Sequence, residues 1–242
     1  MSTTGELSPS DRNIVDSLRS KESVYQSGAH VYDSLGNRTM TVITGPKWSG
    51  KAPVTNEIVR LDSDFETINT TSTHPDSANH LDYKEFSDAE INGNLVDFNV
   101  TGDHVTGTFQ SGFPGRHNVG PILARSILRI VDSGFQEVNV ILLLVEEQEY
   151  ERRIRSLDMS PTDFMPQMLE VGEARDIVEK HSNERWLNFI ETTAALDSTT
   201  KAARKVIDIV RHNSGEFMTT PHALKMLEGM HNALQRVARD VH

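Results

Sequence analysis

The clearest candidate for chemistry in this chain is a seven-residue segment, Gly45-Pro46-Lys47-Trp48-Ser49-Gly50-Lys51. Glycine at both ends of such a loop lets the backbone curl until several N–H groups point towards a bound anion. A helix that begins at the loop adds the positive end of its dipole, and the lysine adds a mobile ammonium group. The segment therefore predicts a phosphate-binding loop in which residues 45–52 contact ATP.

Two residues after this loop depart from the usual pattern. The pattern ends in Ser or Thr, whose hydroxyl binds Mg²⁺, whereas this chain has Ala52. Pro53 follows, so one N–H near the first phosphate is missing, and proline also disfavours helical angles at the residue before it. Mg²⁺ is therefore expected only as the usual companion of ATP. The alternative is a glycine-rich turn between a strand and a helix that binds nothing.

Regular elements on both sides position the loop. Met40–Thr44 alternates in polarity and is rich in β-branched residues, which predicts a buried strand. After the loop, apolar residues recur at the helical spacing of Val54, Ile58 and Leu61. Val138–Val145 is almost continuously apolar, which is typical of a central parallel strand covered on both faces. We therefore expect one mostly parallel sheet with the loop after its first strand.

The segments outside this unit predict short elements joined by polar loops. Ser8-Pro9 is typical of a helix start, whereas Gly28 and residues 33–37 predict a loop and a turn. Between 71 and 110 we expect a small antiparallel insertion. Further expectations are a strand over Phe65–Thr70, a short helix or turn over 87–93, a loop over Gly112–Pro121, a helix over Ile122–Val131, helices from Gln148 and from Ser160, a strand over Trp186–Thr192 and a helix over Asp197–Arg211.

The C-terminal segment carries an apolar stripe. Thr220-Pro221 is typical of a capped helix start. The apolar residues that follow recur by threes and fours: Ala223, Leu227, Met230, Leu234, Val237 and Val241. Such a stripe packs either along its own domain or against the same helix of a second copy. A homodimer through the C-terminal helix is therefore one of two expectations.

Composition narrows the function classes. The 242 residues carry a formal net charge of −11, which argues against a broad basic face for nucleic acid. The chain has no cysteine, so disulfides, thiolate metal sites and a cysteine nucleophile are excluded. No apolar run is long enough to span a bilayer, and the first residues lack the pattern of a secretion signal. We expect a cytoplasmic protein with no membrane partner.

Several stretches, taken in order over roughly residues 39–210, resemble guanylate kinase. TVITGPKWSGK is similar to that family's first strand and phosphate loop, and INTTSTHP to its segment after the second strand. LDYKEFSDAEINGNLVDFNVTGDHVTGT is similar to its insertion that binds the nucleoside monophosphate, and VNVILLLVEEQEYERRIRS to its strand and lid. The resemblance implies a three-layer α/β fold of the P-loop NTPase class with a mostly parallel sheet and a small β insertion. It also implies transfer of the γ-phosphoryl group of ATP to a nucleoside monophosphate.

The resemblance implies boundaries and residue roles as well. The expected regions are an N-terminal extension over 1–37, a guanylate kinase-like domain over 38–212 with its insertion at about 71–110 and its lid at about 148–180, and a C-terminal helix over 213–242. The expected catalytic residues are Lys51, Arg152 and Arg155. The residues expected to bind the acceptor, a nucleotide or another small phosphorylated molecule, are Tyr83, Asp97, Thr108 and Arg116.

Other positions depart from the family. Its arginines after the second strand, which hold the acceptor phosphate, correspond to Ser72 and to the region of Pro75, and neither residue can copy a bidentate contact. Its tyrosine before Gly107-Thr108 is Thr106 here. Two functions therefore stay open. One is a phosphotransferase of the nucleotide kinase class with a changed acceptor, and the other is a catalytically degenerate domain that binds nucleotides or another protein.

Two further groups of residues raise the question of a metal. His74 with His80, or His104 with His117, would supply imidazole ligands, but their spacing matches no zinc pattern and surface histidine is the favoured interpretation. Glu146-Glu147 follows the central strand, where solvated carboxylates are favoured over a Mg²⁺ site. We therefore predict no metal site built from protein ligands.

Overall fold

The computed structural model describes residues 7–157, 159–212 and 218–241. The α-helices in these ranges are α1 (Pro9–Lys21), α2 (Ala29–Leu35), α3 (Lys51–Leu61), α4 (Tyr83–Ile91), α5 (Ile127–Val131), α6 (Glu147–Arg155), α7 (Phe164–His181), α8 (Ser198–His212) and α9 (Thr220–Asp240). The strands are β1 (Thr39–Thr44), β2 (Phe65–Thr67), β3 (Thr71–Ser72), β4 (Leu95–Thr101), β5 (His104–Phe109), β6 (His117–Pro121), β7 (Glu137–Val145) and β8 (Leu187–Thr192). No helix within the described ranges is both long enough and apolar enough to cross a lipid bilayer.

The main sheet lies in one of two compact units, formed by residues 40–67, 117–127 and the chain from 137 onwards. Its five strands have the order β2-β6-β1-β7-β8, and the pairs β2–β6 and β7–β8 are parallel. Strand β7 is buried from Asn139 to Val145, as expected of a central strand. The prediction that the first strand, the second strand and Val138–Val145 share one mostly parallel sheet is confirmed.

Helices α3 and α8 cover one face of this sheet. Val54 and Ile58 on α3 and Val206 on α8 form a buried cluster with Ile43 of β1 and Ile141 of β7. This packing holds α3 and α8 against the buried strands of the sheet. The loop between β1 and α3 is therefore held between two well-packed elements.

The C-terminal helix α9 packs against α6 and α7 of the same unit. Its apolar stripe is buried from Ala223 to Val237, whereas Val241 lies beyond the helix and is 43% exposed. At Gly229 an added Cβ would lie 2.9 Å from the Cβ of Glu147, so only glycine allows this close approach. Arg236 pairs with Glu147 at 2.6 Å and with Glu151 at 2.7 Å. Of the two expectations for the stripe, the structure therefore shows packing along its own domain, and it does not show a homodimer seam.

The second compact unit contains residues up to Thr39, 68–116 and 128–136. It is built on an antiparallel sheet of order β3-β5-β4, with the turn at Gly102 in the left-handed region. Val15 and Leu18 of α1 share its core with Phe86 of α4 and Phe98 of β4. The N-terminal segment thus forms one core with the insertion. The expected boundaries at 37 and 212 stay a prediction.

The structure corrects three predictions around the main sheet. Residues 117–121, predicted as loop, form β6, because parallel pairing with β2 satisfies their backbone and buries Asn118 and Val119. The helix predicted over Ile122–Val131 begins only at Ile127, after a short 3₁₀ turn. The strand predicted over Phe65–Thr70 ends at Thr67.

Two predictions for the second unit are also wrong. Residues 33–35, expected as part of a turn, belong to helix α2 (Ala29–Leu35), because Val31 and Leu35 are buried on one face. Helix α4 begins at Tyr83, four residues before the expected short element. A capping box, in which the Asp82 carboxylate accepts from the Glu85 amide and the Glu85 carboxylate from the Asp82 amide, fixes this start.

Candidate functional site

The loop between β1 and α3 has a curled backbone that glycine makes possible. Gly45 has a φ of +135° and Gly50 a φ of +102°. A Cβ added to Gly45 would lie 2.4 Å from the carbonyl oxygen of Leu143 and 2.9 Å from Ser49 Oγ. Neither position therefore accepts a larger residue without strain. The predicted arrangement of strand, loop and helix is confirmed.

Trp48 also has a left-handed backbone, with a φ of +64°. For a bulky residue this conformation is an outlier that costs on the order of 1–3 kcal/mol, and such outliers cluster at ligand sites. Three contacts hold it: the Trp48 ring packs on Tyr150 with centroids 6.5 Å apart, Lys47 Nζ lies 5.2 Å from the ring, and Arg153 donates to the Trp48 carbonyl at 2.9 Å. These contacts thus maintain a left-handed backbone at Trp48 that a tryptophan would otherwise disfavour.

Lys51, the predicted phosphate-binding lysine, lies at the first position of α3. Its Nζ donates to the carbonyl of Gly45, across the loop. Burial lowers the pKa of Lys51, while the nearby charge of Glu170 opposes that shift. Ala52 and Pro53 occupy the next positions of the same helix, so proline does not delay the helix start. An N–H in the first turn of a helix has no intrahelical partner in any case.

Glu170 of α7 contacts the loop directly. Its Oε2 accepts a hydrogen bond from the backbone N–H of Lys47 at 2.7 Å. The sequence did not predict this residue, since it is one of several charged side chains on a helix of low amphipathicity. A carboxylate on a loop amide shows that this amide is oriented to bind an anion.

Arg153 of α6 is an arginine that reaches the loop. Besides the Trp48 carbonyl it donates to the Thr193 carbonyl at 3.0 Å and to Glu149 at 2.7 Å. By contrast Arg152, with a 65% exposed side chain, pairs only locally with Glu149, and Arg155 pairs with Asp240 at 2.6 Å and with Glu151. The structure therefore does not bring the predicted Arg152 and Arg155 to the loop, because α6 turns them outwards.

A cavity of about 600 Å³ opens beside the loop. Its volume lies within the range of small-molecule sites. The loop and the start of α3 form one wall, and Pro121, Arg153, Leu157 and Thr193 belong to the others. At its floor Thr192 Oγ1 donates to the Ser49 carbonyl at 2.8 Å, which ties the end of β8 to the loop. The cavity combines apolar side chains with the guanidinium of Arg153.

Several buried oxygens of this unit lack a hydrogen-bond partner among the described residues. They are Thr44 Oγ1, Ser49 Oγ, Tyr150 OH and Gln167 Oε1. Burial, and next the charge of Glu170, raise the pKa of Tyr150. An unsatisfied buried polar group costs about 1–3 kcal/mol, so such groups mark places where water or a ligand completes the site.

The residues near the loop do not fit Mg²⁺. Ala52 offers a methyl group where the usual pattern has a hydroxyl. Within the described ranges no three His, Asp or Glu side chains come close enough together to hold a metal ion. The Glu170 carboxylate, which contacts the loop, accepts a hydrogen bond from the Lys47 amide.

In the second unit, the predicted acceptor residue Asp97 is part of a buried ion pair. Its Oδ1 accepts from Arg129 Nε at 2.6 Å, and the two side chains are 4% and 13% exposed. Asn99 donates to its other oxygen at 3.0 Å. Arg129 also donates to the carbonyl oxygens of Glu22 and Phe98. These contacts give Asp97 a structural role.

The other predicted acceptor residues do not form one site. Thr108 is buried opposite Asp97 in the β4–β5 register. Tyr83 donates its hydroxyl to the Asp103 carbonyl at 3.0 Å, at the far turn of that hairpin. Arg116 is exposed and lines a separate cavity with Arg38. The structure thus brings Asp97 and Thr108 together, but it places Tyr83 and Arg116 elsewhere in the unit.

The ring contact between histidines joins His74 and His104, which was neither of the two combinations considered as metal ligands. The ring centroids are 4.6 Å apart, and His80 Nδ1 lies 3.3 Å from the His74 carbonyl oxygen. Burial, followed by the charge of His74, lowers the pKa of His104. The ring planes are inclined by 54°, as in a packing contact, and Asp76 Oδ2 lies 3.9 Å from His74 Nδ1.

The chain has distant matches among solved structures. The fold is similar to that of guanylate kinase from Anaplasma phagocytophilum, with a TM-score of 0.49 and 13% sequence identity over 81% of this chain and 95% of the other. No protein-family model matches the chain, and no curated protein matches its sequence. Similarity at this level assigns no activity to the chain.

Proposed function

We propose that this protein binds the phosphate chain of a nucleotide, with ATP as the first candidate, on the loop Gly45–Lys51. The observation that carries the proposal is the backbone of that loop, with positive φ at Gly45, Trp48 and Gly50, a lysine at its end and a helix starting there. A curled loop followed by a helix N-terminus presents amides to an anion. The adjoining cavity of about 600 Å³ has the volume for a nucleoside.

Each part of the site has a role in this proposal. The backbone amides between Trp48 and Lys51 donate to the phosphates, and Lys51 exchanges its bond to the Gly45 carbonyl for a phosphate oxygen. Arg153 stands in the position that we expected for Arg152 or Arg155, beside the loop and the cavity. Its guanidinium holds the Trp48 carbonyl and faces the space where a nucleoside would lie.

Calorimetric titration with ATP tests the proposal. Lys51→Ala should weaken ATP binding by about 1.5–3 kcal/mol, or roughly 10- to 150-fold, because a charge-assisted contact is lost. Lys180→Ala is the matched control, since Lys180 forms only an exposed pair with Asp176 on α7. Unchanged affinity in Lys51→Ala would show that the loop is not the binding site.

Phosphoryl transfer is the second candidate function, and the presence of both Lys51 and Arg153 at the loop favours it. In that reaction an acceptor oxygen forms a bond to the γ-phosphorus of ATP, the bond to the β,γ-bridging oxygen breaks, and ADP leaves. The acceptor would bind the unit that holds residues 71–110. GMP should be a poor acceptor, because Ser72 and Pro75 replace the phosphate-holding arginines and Asp97 is paired with Arg129.

A transfer assay over nucleoside monophosphates and small sugar phosphates separates the two candidates. Turnover with any acceptor establishes a phosphotransferase, and efficient use of GMP would contradict the acceptor argument. ATP binding without turnover of any acceptor would indicate a degenerate nucleotide-binding domain. Arg153→Lys should reduce turnover more than Arg152→Lys, because only Arg153 reaches the loop.

A further inference from the structure

A carboxylate from the chain itself occupies part of the proposed phosphate site. Glu170 Oε2 lies 2.7 Å from the backbone nitrogen of Lys47. The amides of such loops bind phosphate oxygens, which resemble a carboxylate in charge and in hydrogen-bonding capacity. Glu170 is half-buried, and its charge acts on Tyr150, whose hydroxyl is buried without a partner among the described residues. The carboxylate therefore sits in a polar environment built around the loop.

The order of residues in the loop shows which phosphate Glu170 would meet. The helix start at Gly50–Lys51 binds the phosphates nearest the nucleoside, and the lysine side chain reaches the outer ones. Lys47 precedes these residues, on the side of the loop away from the helix start. The charge of Glu170 also acts on the Lys51 ammonium, which places the carboxylate near the outer phosphates.

We propose that Glu170 competes with the terminal phosphate of a nucleoside triphosphate, so that the site prefers a nucleoside diphosphate. This inference rests on the proposed function of the loop. A diphosphate accepts hydrogen bonds from the amides nearest the helix and leaves the bond between Glu170 and Lys47 in place. A triphosphate brings its outermost charge against the carboxylate, and binds only after Glu170 has left the Lys47 amide.

The preference for a diphosphate would come from repulsion between the Glu170 carboxylate and the third phosphate at short range. Two anions a few ångströms apart in a partly buried site repel each other, and the repulsion weakens where water screens them. Replacing Glu170 by glutamine keeps the size of the side chain and removes the charge. The amide that it leaves available then serves the third phosphate.

Binding of ADP and ATP, without Mg²⁺ and followed by Trp48 emission and calorimetry, tests the inference. The wild-type protein should bind ADP at least about tenfold more tightly than ATP. Glu170→Gln should strengthen ATP binding at least about tenfold and change ADP binding by less than about threefold. Glu179→Gln is the matched control, since Glu179 lies on the same helix in an exposed pair with Arg175 and should change neither affinity.

The outcomes distinguish this inference from the proposed function. If Glu170→Gln changes ADP and ATP binding equally, or leaves both unchanged, the competition is refuted while nucleotide binding stands. If it weakens both nucleotides, Glu170 supports the loop rather than competing with phosphate, and the inference is also refuted. If neither protein binds ADP or ATP, the proposed function fails and this inference fails with it. Glu170→Ala should reproduce the selective gain in ATP affinity.

Discussion

Asp97→Asn should destabilise the unit that contains the small sheet, because it removes the charge that compensates a buried arginine. Arg129 Nε lies 2.6 Å from Asp97 Oδ1, and both side chains are almost fully buried. Arg129 also donates to the carbonyls of Glu22 and Phe98 at 2.9 and 3.0 Å, so it cannot turn to solvent without losing those bonds. Breaking a buried pair by removing one partner costs about 3–5 kcal/mol.

The lower end of that range applies here. An asparagine oxygen can still accept from Arg129, so we expect a loss of about 3 kcal/mol in the free energy of unfolding. In the double variant Asp97→Asn/Arg129→Met the two losses should fall short of additivity by about 1–3 kcal/mol, because the residues are in contact. Asp16→Asn is the control, since the Asp16–Arg19 pair is exposed and should change stability by less than about 0.5 kcal/mol.

Urea unfolding followed by far-ultraviolet circular dichroism measures these changes, with unchanged slope as the check on two-state behaviour. If Asp97→Asn were as stable as the Asp16→Asn control, the structural role of Asp97 would be refuted. If it were stable but had lost affinity for a nucleoside monophosphate, Asp97 would be a ligand-binding residue, as the resemblance to guanylate kinase implies.

Three further predictions concern the loop and the histidine pair. Gly45→Ala should lower the melting temperature and abolish ATP binding, because the added Cβ would collide with the backbone of β7. Gly172→Ala is the control, since a Cβ added there has no atom within 4 Å, and equal effects of the two substitutions would contradict the prediction. Ala52→Ser should enlarge the gain in ATP affinity that Mg²⁺ provides in calorimetry, and an equal gain in both proteins would count against a role for the missing hydroxyl. Folding lowers the pKa of His104 from its usual 6.5, so the unfolded chain binds more protons and stability should fall as the pH drops from about 7 to 5. His104→Gln should flatten that fall in melting temperature, and an unchanged profile would assign it to other groups.

The elements that the sequence predicted are those whose signal is local. The apolar run Val138–Val145 predicts a central strand. Ser8-Pro9 predicts a helix start, and in the structure Ser8 Oγ accepts a hydrogen bond from the Asp11 amide. The missed start of α4 had a local signal too. Asp82 and Glu85 have the spacing of a capping box, which predicts a helix from Tyr83.

Strand β6 could not be predicted in the same way. Residues 114–121 contain four glycines and prolines, which are typical of a loop. They form a strand because β1 and β2 lie on either side of them and supply the hydrogen bonds. Sheet pairing is a tertiary effect, and here it overrides the local preference.

The residues of the candidate site also divide into those with a local sequence signal and those placed by tertiary packing. Glycine at 45 and 50 and lysine at 51 predict the loop from sequence alone, because its backbone needs those residues. Glu170 and Arg153 come from helices far along the chain, and only the packing of α6 and α7 brings them to the loop. No spacing in the sequence could distinguish Arg153 from Arg152 or Arg155, since all three lie within one helix of alternating charge.

Arg153 and Glu170 contact neighbouring residues of the loop, one as a hydrogen-bond donor and the other as an acceptor. Arg153 donates to the carbonyl of Trp48, and Glu170 accepts from the amide of Lys47. A phosphate chain offers only acceptors, so it can replace Glu170 but not Arg153. Binding of a third phosphate should therefore release α7 from the loop while α6 stays attached through Arg153. The left-handed backbone of Trp48, which the Arg153 contact supports, would be kept in both states, and the loop would need no rearrangement to exchange an internal carboxylate for a phosphate.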